Sequence, residues 1–479
     1  MQVRFPIKLQ TGLLVACGIA AGILSVFPGQ ERLMLAFLAL LAVGGLIVRN
    51  PPRAVLVILF LLPLIGFIRR LLISVTGMPA YDPLVLIAPA ASSVLFMAAI
   101  WKYPQAFKST LSWLVCLLMI IFLYQMANPL QGGILVGLAG ALFFITPLFW
   151  FFIGKRYGNF NSVERIIIAL GLICGLYGLW QNFVGFFPFE EAWVDSVRDK
   201  YVTLVAYDKI RAFSTFPSVT EFINFMAVVL LLCCSKLIFK DKNWFFFVLL
   251  GAISLACIMY AGIRGVVVML VLSTIVVYSV RHYRRPFKII LSVSTVFLLV
   301  FLFITIAGQV EFSEESAPLI EHLIGGLTEP LNPQKSSLLY HLDSLVRGII
   351  TGSANPLGFG LGSTNLAGSK FGGINMSTEI DLTDILLATG WSGGIIAFII
   401  VAVTIFQAAR LNMRYPGNRR YFLALWILLY FGGHWLNGGN YFLTSLVWLL
   451  VGWLDQQYCE IGRPEAGAMG SDAGESGHN

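Results

Sequence analysis

The chain has 479 residues, of which 58% are hydrophobic and only 12% charged, and its mean hydropathy is +0.83. A water-soluble globular domain carries roughly a quarter charged residues, so this composition excludes one and predicts a polytopic membrane protein of all-α class, a transmembrane helical bundle. The net charge of +8 is no sign of nucleic acid as a partner, because Lys and Arg fall in short clusters between apolar runs and no basic domain is left over.

A hydrocarbon core of about 30 Å needs roughly 20 apolar residues to cross it. Runs near that length lie at 9–28, 31–48, 54–75, 83–101, 110–127, 133–153, 164–187, 219–239, 244–262, 265–280, 287–308, 383–409, 420–436 and 441–455. They predict 12–14 spans, the pair within 244–280 and the short run at 420–436 being the least sharply bounded. The first run follows Arg4 and Lys8, is longer than a signal-peptide core and lacks a small-x-small cleavage site, so it reads as a retained signal anchor. With the N-terminus inside, 21 of the 32 Lys and Arg residues fall on cytoplasmic connections or termini, whereas the short outer connections hold only Arg32, Arg69, Arg70 and Arg264. That asymmetry predicts an N-in, C-in orientation.

Four segments follow. Residues 1–308 carry the first eleven spans, with an outer loop near 188–218; 309–382 form a large extracytoplasmic loop; 383–458 hold the last spans; and the Gly/Ala/Glu/Ser-rich 459–479 read as a disordered cytoplasmic tail. Six of the seven cysteines lie in apolar runs and none in the polar loops, so neither a disulfide framework nor a thiolate metal site is expected.

Function is to be sought where polar residues gather, from Glu311 to Thr389. Within that stretch, Pro356 to Ser363 supplies three alternating glycines, Gly358, Gly360 and Gly362. Backbone without a Cβ lets a diphosphate or sugar come close, although a string of surface turns is the plainer reading. The run follows no predicted strand and is no nucleotide loop. Arg69, Arg70, Arg211, Arg264 and Arg347 break the charge rule by falling at the outer face. A guanidinium there suits bidentate binding of phosphate oxygens; more simply, it snorkels to lipid headgroups as an anchor.

A general base at neutral pH calls for a carboxylate or an imidazole, and the outer loops offer His322, His341, Glu379, Asp381 and Asp384. Glu379 is the first choice as catalytic base, because it lies where the large loop re-enters the membrane and sheds solvent. His341 is the second, against the plainer reading of a solvated loop histidine. Asp381, following Ser377 and Thr378, reads first as a carboxylate at a helix N-terminus. His434 to Asn440 reads as a tight turn between the last two spans. No cluster at metal-ligand spacing stands out, so no metal and no cofactor is expected.

Four pieces of the sequence resemble a known family. They are Arg211-Ala212-Phe213-Ser214-Thr215-Phe216-Pro217, Gly262-Ile263-Arg264-Gly265, Asn355-Pro356-Leu357-Gly358-Phe359-Gly360-Leu361-Gly362, and Leu386-Leu387-Ala388-Thr389-Gly390-Trp391-Ser392-Gly393. In that order they are similar to the signatures of the bacterial O-antigen ligase and O-antigen polymerase superfamily of membrane glycosyltransferases, over roughly residues 205–455. Arg347, ten residues before Gly358, looks like the polymerase branch's spacing. Glu379 stands where the ligase branch usually has histidine, His341 where the family often has Arg, and Ser214 where it has glycine.

The resemblance implies metal-independent, inverting transfer of a saccharide from undecaprenyl diphosphate at the outer face of the bacterial cytoplasmic (inner) membrane. A growing glycan or lipid A core would be the acceptor, membrane lipids would surround the chain, and chain-length regulator and flippase proteins would be partners. It implies polymerisation first and ligation to lipid A core or protein second. A transporter of a lipid-linked saccharide or organic anion is the rival from another class. Ion-coupled carriers usually need acidic residues inside the bilayer, whereas here they sit at span ends, at Asp82, Glu221 and Asp384.

Overall fold

Long apolar runs with polar interruptions leave the chain one solution in lipid, which is to close every backbone hydrogen bond within helices and pack the helices side by side. The computed structural model describes residues 30–461, apart from 78, 80–81, 102, 199–203, 207–208, 283–286, 288–289, 292–293, 296–297, 299–301, 303–323, 327, 330 and 334–335. The predicted span at 9–28, most of that at 287–308, His322 and residues 462–479 lie outside the described residues. Each of the other predicted spans is a helix.

In chain order these helices are α1 (Glu31–Arg49), α2 (Pro51–Leu71), α3 (Ile87–Ile100, entered by a 3-10 turn at Pro83–Leu86), α4 (Thr110–Gln125), α5 (Ile134–Tyr157) and α6 (Phe160–Phe183). There follow α7 (Pro188–Val197), α8 (Val219–Ile238), α9 (Trp244–Ala261), α10 (Arg264–Arg281), α11 (Leu338–Ala354), α12 (Asp381–Arg414), α13 (Arg419–Phe431) and α14 (Tyr441–Ile461). Among the described residues, nine helices are long and apolar enough to cross a membrane. Helices α7 and α11 were expected as loop. Polar side chains punctuate the starts: Asn50, Ser109, Asn159, Ser218 and Asn418 each accept a hydrogen bond from a first-turn backbone N–H.

Helix α8 forms the centre, with 72% of its most apolar stretch buried against 17% for α10 at the periphery. It packs on α6, α9 and α13, while α5 packs on α3, α4 and α14, and α12 on α4, α11 and α13. The closest pair is α5 with α14. A Cβ at Gly154 would collide with the Leu449 carbonyl oxygen, and one at Gly452 with that of Phe151, so the two backbones touch where no side chain intervenes.

The polar contacts between helices sort into two ends of the bundle. One end is basic. There Glu164 accepts from Lys236 at 2.7 Å and Arg419 at 2.6 Å, and Arg410 reaches the Tyr458 hydroxyl. Slightly deeper, Lys155 pairs with Asp455 at 2.6 Å, both fully buried, and also donates to Ser109 Oγ and Ser112 Oγ, while Asp455 accepts from Gln407. Removing one member of such a pair strands the other charge, at about 3–5 kcal/mol, whereas replacing both by apolar groups is often neutral. Lys155→Met and Asp455→Leu are therefore each expected to lower the thermal midpoint and the membrane yield, and the double variant to recover most of the loss. A double variant no better than the worse single one would place the stabilisation in the hydroxyl and amide contacts instead of the ion pair.

Candidate active site

The opposite end of the bundle holds every candidate among the described residues, and a broken helix organises it. Helix α12 starts at Asp381 and is interrupted at Gly390, whose φ of 69° and ψ of −162° no helix tolerates. The break frees backbone groups that have to be satisfied. The segment after α11 supplies the partners: Phe359 N donates to the Leu387 carbonyl at 2.8 Å, Gly360 N to that of Ala388 at 2.9 Å, and Trp391 N to that of Pro356 at 3.2 Å. A Cβ at Gly390 would collide with the Pro356 carbonyl, and one at Gly358 would stand 2.6 Å from that of Ala388. Gly360 and Gly362 are likewise filled in by Gln131 and Val136, with Gly362 N donating to Gln131 Oε1 at 3.0 Å. The glycine run thus receives the chain's own backbone, where the sequence reading had it receive a ligand.

The arginines divide into groups. Arg70 is 1% exposed and turned into the fold: Nη1 donates to the Phe216 carbonyl and Nη2 to that of Ser214, both at 2.6 Å, with the Phe213 ring 4.7 Å from Cζ and Glu190 3.9 Å from Nε, which makes no hydrogen bond among the described residues. Arg211 begins the turn that Arg70 holds, its backbone N–H on the Leu204 carbonyl at 2.8 Å. Ser214, within that turn, has φ 52°, a left-handed conformation that favours the glycine of the similar signature. Arg69 shares Asp82 with Arg32, at 2.7 and 2.8 Å, and is one-third exposed. Arg347 pairs with Asp343 one turn earlier on an exposed face of α11.

Arg264 belongs elsewhere. As the first residue of α10 it donates Nη2 to Ser337 Oγ at 3.1 Å, and Ser337 immediately precedes α11. One turn into α11, His341 N bonds the Ser337 carbonyl, and its Nδ1 lies 3.7 Å from Glu379 Oε2. The structure therefore brings Arg264, His341 and Glu379 to one place. Their setting is more open than expected, since the side chains of His341 and Glu379 are 47% and 66% exposed, so the solvent loss foreseen at Glu379 is absent among the described residues. Glu379 is nonetheless held firmly. It has φ 62°, a cost seldom met by a non-glycine residue, and the segment before it is clamped by Asp384, which accepts from Thr378 N at 2.7 Å and Ser377 Oγ at 2.9 Å.

Sequence reasoning missed one member of the cluster, His434. Asp381 at the head of α12 accepts from Leu436 N at 3.0 Å and Asn437 N at 2.9 Å through Oδ2, and its Oδ1 lies 3.1 Å from His434 Nδ1. The Asp381 carboxylate holds the His434 imidazole above its ordinary pKa, with burial opposing and Asp384 and Glu379 adding to the rise. Asp381 does stand in the first turn of α12, as its sequence position suggested, while its hydrogen bonds go to the backbone of the connection between α13 and α14.

An arginine, two imidazoles and several carboxylates at one end of an apolar bundle can bind an anion and move a proton. Compared with models of known protein families and with curated proteins, the chain shows no match.

Proposed function

We propose that the chain is a membrane glycosyltransferase that polymerises undecaprenyl-diphosphate-linked oligosaccharide at the outer face of the bacterial cytoplasmic membrane. One observation carries this reading: Arg264, the His341–Glu379 contact and the Asp381–His434 pair gather at the head of a membrane helix, α12. A lipid-borne substrate presents its diphosphate at the edge of the bilayer, where the cluster lies. Diphosphate is a good leaving group, so the reaction needs a fixed cation for the developing charge and a base for the acceptor hydroxyl, and both are at hand. The basic end faces the cytoplasm under the positive-inside rule, which turns the cluster outward. The resemblance to the O-antigen ligase and polymerase superfamily supplies the substrate class, and the left-handed backbone at Ser214 and the packing at Gly358 and Gly390 give a physical reason for glycine at those places in its signatures.

Purified protein in lipid nanodiscs, given a lipid-linked oligosaccharide, is expected to lengthen it in steps of one repeat and release the lipid diphosphate. Transfer only to added lipid A core would replace polymerisation by ligation. Movement of an intact donor across a vesicle membrane without elongation or release would replace the enzyme by a transporter.

A further inference from the structure

We infer that His434, oriented by Asp381, is the group that takes the proton from the acceptor hydroxyl; this rests on the glycosyl-transfer reading above. The argument starts from what a carboxylate can do, which is only to accept. Asp381 Oδ2 is occupied by two backbone N–H groups, and Oδ1 faces His434 Nδ1 at 3.1 Å, so Nδ1 carries the hydrogen and the neutral imidazole keeps its lone pair on Nε2. The two ring nitrogens point in diverging directions, so with Nδ1 tied to Asp381 the Nε2 lone pair is turned away from that carboxylate. The side chain is 39% exposed, and no hydrogen bond engages Nε2 among the described residues. A base whose second nitrogen is fixed by a carboxylate is the recurring arrangement for activating a hydroxyl.

The other pair in the cluster is built differently. His341 and Glu379 stand 3.7 Å apart, beyond hydrogen-bonding distance, and both are about half or more exposed, so neither orients the other. Asp381, by contrast, is 7% exposed and anchored to the backbone of the α13–α14 connection, which also holds His434 itself. The imidazole and its orienting group are therefore parts of one rigid unit.

The step balances as follows. The acceptor oxygen forms its bond to the anomeric carbon as the bond from that carbon to the diphosphate oxygen breaks. The acceptor proton passes to His434 Nε2, and the lipid diphosphate leaves with the electron pair. The imidazolium then returns its proton to water. His434 is catalytic in this scheme and Asp381 is a positioning residue.

The charged groups facing the ring from α12 and the segment before it, Asp381, Asp384 and Glu379, are all acidic and all favour the protonated form. Since only the neutral ring accepts a proton, activity should rise with pH through a midpoint above the ordinary histidine value of about 6.5.

The test uses the full-length protein in nanodiscs with a lipid-linked oligosaccharide, measuring elongation and donor binding together. His434→Asn places an amide N–H where Nδ1–H was, keeping the contact to Asp381 while removing the proton acceptor. It should bind donor as the parent does and lose about 10²-fold or more in turnover. His434→Ala should regain activity with added imidazole, which a purely structural histidine would not allow. In Asp381→Asn the pH midpoint should move down, because the largest acidic neighbour is gone.

Turnover within threefold of the parent in His434→Asn overturns the inference, as does a dead Glu379→Gln beside an active His434→Asn. Should His434→Asn fail to fold, the parent protein still decides: a profile whose rising limb has no midpoint above the ordinary histidine value overturns the inference, and one with that midpoint sustains it. A parent protein that neither elongates nor transfers the saccharide overturns the glycosyl-transfer reading itself, an outcome distinct from all of these.

Discussion

Replacing Arg70 by alanine is expected to cost the fold about 3–5 kcal/mol, enough to remove most of the protein from the membrane, because it strips a fully buried charge from every partner it serves. The Ser214 and Phe216 carbonyls each lose a donor at 2.6 Å. The stack on Phe213 goes, and Glu190 loses its only cation within 4 Å among the described residues. Burial already pushes the Glu190 carboxyl above its ordinary value and Arg70 is the main force holding it down, so in the variant it takes up a proton instead of remaining a bare anion. That relieves part of the penalty but leaves the turn at 211–217 untethered. Lysine should rescue poorly, since one ammonium cannot span two carbonyls and lie flat against a ring. Membrane yield and thermal midpoint report the loss. An Arg70→Ala protein that is abundant, has a parental midpoint and fails only to bind a lipid diphosphate would return Arg70 to the ligand site that the sequence suggested.

Arg264→Ala should behave in the opposite way. Its guanidinium reaches across from α10 to Ser337 at the start of α11, at the half-buried rim of the cluster, so its loss should leave the bundle assembled. Removing a fixed donor from a developing oxyanion costs about 10²–10³-fold in rate, and that is the drop expected in elongation, with lysine recovering part of it. Parental turnover in Arg264→Ala would remove the diphosphate-clamp role. A variant that fails to accumulate would assign Arg264 to the structure, beside Arg70.

Adjacent arginines with opposite fates show what the sequence could and could not convey. Hydropathy located the spans well because about 20 apolar residues in a row have one explanation. The same signal is blind to orientation within a span, so nothing distinguished Arg70, turned into the core, from Arg69, one-third exposed beside Asp82. It is equally blind to the break at Gly390, since a half-helix and a whole one have the same composition. The amphipathic α7 and α11 were taken for loop because their polar faces dilute the average. His341 and Glu379 could be singled out because both lie in a conspicuously polar stretch, and the fold sets them 3.7 Å apart. His434 was not, because its meaning comes from Asp381, which precedes it by two membrane helices and meets it only in the folded bundle.

The most direct test of the central claim is to map where a lipid diphosphate binds. A polyprenyl diphosphate with a photoactivatable group beside the phosphates, cross-linked to the protein in nanodiscs and located by mass spectrometry, is predicted to label residues around Arg264, Glu379 and His434, and to lose that label in Arg264→Ala. Labelling confined to the basic end near Lys236 and Arg419, or labelling indifferent to the Arg264 substitution, would contradict the account.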